Sequence, residues 1–163
     1  MRSRAWAAIL WGGLVGGTLD ITFAAIRSMQ LGSTAGRMLR GIAAGLLGRG
    51  VLDAGRGYAL LGLGLHFFIA FSAAATYYVA SRRLRFLVSW PWVCGPAFGA
   101  LWWLMMNRIV LPLSALHVSP AFTVPGFLAV TLLVGLPVAL ATRYVDSGIR
   151  GFEDPRIRGS GIP

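Results

Sequence analysis

The chain has 163 residues, 56% hydrophobic and 12% charged, with mean hydropathy +0.71; a water-soluble domain is typically about 45–50% apolar and roughly 25% charged. The uncharged runs Gly57 to Ser81, Phe86 to Asn107 and Ile109 to Thr142 are too long and continuous for a soluble core, and about 20 apolar residues span the hydrocarbon of a bilayer. The net charge of +10 comes from fifteen basic residues, all arginine, which stand at the ends of apolar runs and not on one face, so they point to membrane lipid and away from nucleic acid.

The first predicted span is Ala5 to Ile26, flanked by Arg2, Arg4 and Arg27. A signal peptide is the rival reading of such a basic start, but Asp20 and the glycine-rich middle argue against it. Between Arg27 and Gly57, Ser33 is placed to cap a helix over residues 33–48. Met38, Leu39, Ile42, Ala43, Leu46 and Leu47 fall on one of its faces, and Arg37, Arg40, Ala44 and Gly48 on the other. This is an amphipathic pattern too short to span. It suits a helix in the headgroup region, with Arg37 and Arg40 as lipid-headgroup contacts, or a re-entrant segment loosened by Gly41, Gly45, Gly48 and Gly50.

The second span, about 57–80, ends in Tyr77 and Tyr78 before Arg82, Arg83 and Arg85, an aromatic-then-basic order that marks an interface. The third, about 87–110, contains Pro91 and Pro96 and is expected to be bent or to start late. The fourth, about 123–143, begins near Pro120 and Pro125, tolerable in a first turn, and Pro137 should kink it. The predicted fold is all-α: a membrane bundle of four transmembrane helices plus one interfacial or re-entrant helix, forming a single domain over 1–145, with 146–163 as a polar tail in which Glu153 and Asp154 are solvated. With the N-terminus inside, Arg2, Arg4, Arg82, Arg83, Arg85, Arg143, Arg150, Arg156 and Arg158 lie in the cytoplasm, against Arg27, Arg37, Arg40, Arg49, Arg56 and Arg108 outside. The excess favours both termini in the cytoplasm.

Asp20 is the residue most suggestive of chemistry, because a carboxylate inside a span is costly and normally finds a partner. At about 1.5 Å per residue, Asp20 and His66 come to similar depth in the outer half, and Asn107 and Arg108 are close enough along the third span for a long Arg side chain to reach inward. A cluster of Asp20, His66, Asn107 and Arg108 would either handle protons or small ions or lock the bundle. Gly12, Gly13, Gly16 and Gly17, and Gly95 with Gly99, carry GxxxG spacing and predict close helix packing, within the chain or between subunits. Cys94, alone in an apolar run, reads as a small core residue. His66 and His117 give no haem or metal set. No nucleophile–base pattern is visible, so neither an enzyme nor a cofactor is expected.

The run HFFIAFSAAATYYVASRRLRFL, from His66, followed by GPAFGALWWLMMNRIVLPLSAL, from Gly95, and the GGLVGG of the first span resemble the YagU-like group of small bacterial inner-membrane proteins. The segment between the first two spans departs from that group. The resemblance implies a bacterial inner membrane and no settled activity. The sequence alone therefore predicts a structural or accessory membrane protein that binds lipid or a partner subunit, or else an oligomeric channel or transporter for protons or small ions.

Overall fold

The computed structural model describes residues 2–117 and 122–153, and these are helical with no strand. Helix α1, Arg2–Gln30, continues a turn beyond Ile26. It closes in a Schellman turn: Gly32 takes φ 77°, and the Ser33 amide donates to the Ser28 carbonyl at 3.0 Å. Ser33 is thereby used to finish α1, and the cap of the next helix is Thr34, whose side-chain oxygen accepts from the Arg37 amide at 3.1 Å. That corrects the expectation for Ser33 by one residue. Helix α2, Ala35–Leu47, ends at Gly48, again at positive φ.

Helix α3, Arg56–Arg83, coincides with the second predicted span within a turn. A single turn, α4, Phe86–Ser89, precedes α5, Pro91–Met105, where Pro91 occupies the first turn. The third segment thus starts late, as its prolines imply. From Met106 to Val110 the helix widens into a π-turn and then finishes as α6, Leu111–Leu113. Helix α7, Val124–Ala129, likewise passes through a π-turn, Val130–Val134, into α8, Gly135–Glu153. Both π-turns lie just upstream of a proline, Pro112 and Pro137. A proline lacks the N–H for its helical bond and its ring clashes with the carbonyl four residues back, which wider coiling relieves.

Helix α8 runs past residue 145, so Asp146 belongs to a helix and forms an ion pair with Arg82 at 3.8 Å. Pro120 and the tail from Asp154 onward fall outside the described residues.

The four long helical runs are held together largely by glycines. A Cβ added at Gly12 or Gly16 would press on the backbone of Val138 or Val134; one at Gly13 or Gly17 would meet Phe71, or Ala70 and Phe67. The two glycine pairs therefore point to different neighbours, one to the α7–α8 run and the other to α3. Gly95 and Gly99 face Gly135 and Thr131 in the same way. Contact positions rise in one helix as they fall in the next, so all three pairings are antiparallel. The run α7–α8 lies between α1 and α5. The core, which includes the valines that Gly12 and Gly16 meet, is Ala73, Ala74, Tyr77, Val134, Val138 and Ala139. The outer surface is apolar too, with Trp11, Leu60, Phe68, Trp92 and Leu101 exposed.

Tyr77 is not an interfacial residue. It is fully buried, its hydroxyl donates to the Leu87 carbonyl at 2.8 Å, and its ring meets Phe98 edge-on. The reason is that α4 folds back over the end of α3, so the aromatic that precedes the arginines is covered by protein while Tyr78 stays half-buried.

Candidate intramembrane polar site

Helices α1 and α3 meet at Gly13, against Phe71, and a turn further on at Gly17, against Phe67 and Ala70. With no side chain in the way, His66 reaches the backbone of α1, and its Nε2 lies 2.8 Å from the Gly17 carbonyl oxygen. A carbonyl can only accept, so Nε2 carries the hydrogen of this bond. Phe67 meets the imidazole edge-on at 5.5 Å. Asp20 follows Gly17 by three residues and so lies on the same side of α1, half-buried.

Asn107 and Arg108 are elsewhere. Asn107 uses its side-chain amide on its own helix, donating to the Trp103 carbonyl at 2.9 Å. Arg108 is exposed and lines a groove with Leu104, Phe122 and Phe127. The expected four-residue cluster is thus divided: Asp20 lies a turn from the Gly17 carbonyl that His66 reaches, and Asn107 and Arg108 form a separate polar end on the α5 run, because the α7–α8 run stands between α1 and α5. Among the described residues, no group of three or more His, Cys, Asp or Glu side chains comes together to hold a metal.

The arginines of α2 are engaged with the loop that follows it. Arg40 Nε donates to the Leu52 carbonyl at 2.7 Å, and Arg37 pairs with Asp53 at 3.1 Å while over half of its side chain stays exposed. On its other side α2 packs into α3 at Gly62, where a Cβ would overlap the Leu39 carbonyl. The Gly45 carbonyl accepts from the Ala115 amide at 2.8 Å. Cys94 is buried, with its thiol 3.7 Å from the Phe86 carbonyl.

Sequence reading missed Gly62, Gly135 and Tyr77 as packing residues. Gly62 and Gly135 have no second glycine four residues away, so their only signal is a glycine kept inside a helix at a cost of about 1 kcal/mol relative to alanine.

An all-helical bundle with an apolar exterior and three helices long and apolar enough to cross a membrane (Ala5–Gln30, Arg56–Arg83 and Val124–Ser147) defines a multi-pass membrane protein. Comparison of the chain with protein-family models, curated proteins and solved structures gives no match.

Proposed function

We propose that this chain crosses a bacterial inner membrane four times, with both termini in the cytoplasm, and acts there as a small structural or accessory protein that binds lipid or a partner membrane subunit. Four crossings are supported by the path of the chain. Residues 91–113 are continuously helical and start at the end of the bundle where α3 finishes. They deliver Ala115 to α2 at the opposite end, where α3 begins. Asn107 and Arg108 lower the hydropathy of that run without shortening it. Arg82, Arg83, Arg85 and Arg143 gather at the end assigned to the cytoplasm, in keeping with the positive-inside rule, and the YagU-like resemblance agrees with the membrane proposed.

The observation that carries the accessory reading is the closure of the bundle. Glycine-to-backbone contacts bring the long helices together, their centre is filled by Tyr77, Val138 and alanines, and large apolar side chains are turned outward. Such a body offers its outside to lipid or to another helix. The second reading, an oligomeric proton or small-ion pathway, is favoured by a carboxylate, Asp20, one turn from the Gly17 carbonyl that the His66 imidazole reaches. A flux assay on purified protein in liposomes containing a pH-sensitive dye separates the two. The accessory reading expects no flux above empty vesicles, and flux abolished by Asp20→Asn would replace it with the second.

A further inference from the structure

We infer that the face of α5 leading to Arg108 is a binding site for one anionic glycerophospholipid of the outer leaflet, with its phosphate on Arg108 and one acyl chain along the helix. Ala97, Ala100, Leu101 and Leu104 follow one another at helical spacing, and the small side chains of the first two leave an open, mostly apolar groove of about 470 Å³. Its wall is aromatic: Trp103 packs edge-on against Phe122 and Phe127, with ring centres 5.3 and 5.4 Å away. From Ala97 to Arg108 the groove rises about 16 Å, comparable with one leaflet of a hydrocarbon core about 30 Å thick.

Charge identifies the occupant. Arg108 closes the outer end of the groove, and the ion pairs among the described residues, Arg37–Asp53 and Arg82–Asp146, leave it out. An arginine on the lipid-facing side of a span needs an anion or water, and a guanidinium binds phosphate oxygens in a planar, two-point manner. Among the described residues, no carboxylate lines the groove to receive the ammonium of a zwitterionic headgroup, so an anionic lipid is preferred. The site gives a location to the lipid-binding arm of the proposed function and rests on it.

The test is native mass spectrometry of the full chain in detergent, titrated with phosphatidylglycerol or phosphatidylcholine. The wild type should retain phosphatidylglycerol in preference. Arg108→Gln should weaken that binding about tenfold, the worth of a hydrogen bond to a charged group, and remove the preference, while Arg108→Lys recovers part of both. Ala100→Phe should displace both lipids by filling the groove. If that variant does not fold, the Arg108 pair decides alone. Phosphatidylglycerol held by Arg108→Gln as by the wild type overturns the site. If the lipid is instead released by the double change Arg37→Gln and Arg40→Gln, the site falls and the lipid-binding reading stands. A wild type that retains neither lipid overturns the site and the lipid-binding arm together.

Discussion

Gly62 and Gly64 stand two residues apart on α3, yet they differ in what surrounds them. A Cβ at Gly62 overlaps the Leu39 carbonyl, whereas one at Gly64 meets nothing within 4 Å. Gly62→Ala should therefore destabilise the protein by about 1–3 kcal/mol, as overpacking does, and Gly64→Ala should be neutral or stabilising by up to about 1 kcal/mol from helix propensity. Thermal unfolding in detergent, followed by helical circular dichroism, reads the difference, and equal effects would contradict the packing described. Gly99→Ala belongs with Gly62, since its Cβ would lie 2.7 Å from Thr131 Cα. Tyr77→Phe should cost about 1–3 kcal/mol because it removes the bond from the buried Tyr77 to the part-buried Leu87 carbonyl. For the polar pair, Asp20→Asn should leave the unfolding midpoint nearly unchanged, because an amide can still hydrogen-bond. His66→Phe should lower it by removing the link to Gly17. A midpoint unmoved by His66→Phe would mean that this bond does not hold α1 to α3.

At the scale of elements, α2 shows how a short amphipathic helix is held in place. Its ends are fixed locally by Thr34 and Gly48, but its position comes from three partners outside the helix: Leu52 in the following loop, Gly62 on α3 and Ala115 beyond α6. Arg40→Ala should loosen residues 49–55 and raise their amide exchange several-fold. Arg37→Ala should do much less, because an exposed ion pair contributes about 0–1 kcal/mol. Hydrogen–deuterium exchange resolves the two. The π-turns carry a related lesson. Pro112 and Pro137 are visible in the sequence, but whether a proline bends, breaks or widens its helix depends on what the displaced turn packs against. In the fourth run that is Gly99, pressed on the carbonyls of Val130 and Thr131.

For the whole molecule, four crossings require reporters fused after Arg85 and after Pro163 to lie on the same side of the membrane, and a reporter after Ala54 to lie on the other. Disagreement between the first two would leave an odd number of crossings between them. The sequence by itself determined the solvent and the class: long uncharged runs can satisfy their backbone in a bilayer only as helices, and the arginines mark where those runs end. It also carried the glycine spacing of α1 and α5, because two glycines a turn apart make a flat strip on any helix. Only the tertiary structure decided which helix each strip meets, that Tyr77 is roofed by α4, and that His66 bonds α1 at Gly17, a turn from Asp20, while Arg108 lies apart. Depth in the membrane can be counted along a chain at 1.5 Å per residue. The neighbour around the helix axis cannot, because it depends on the order in which four antiparallel runs pack, and here α7–α8 comes between α1 and α5.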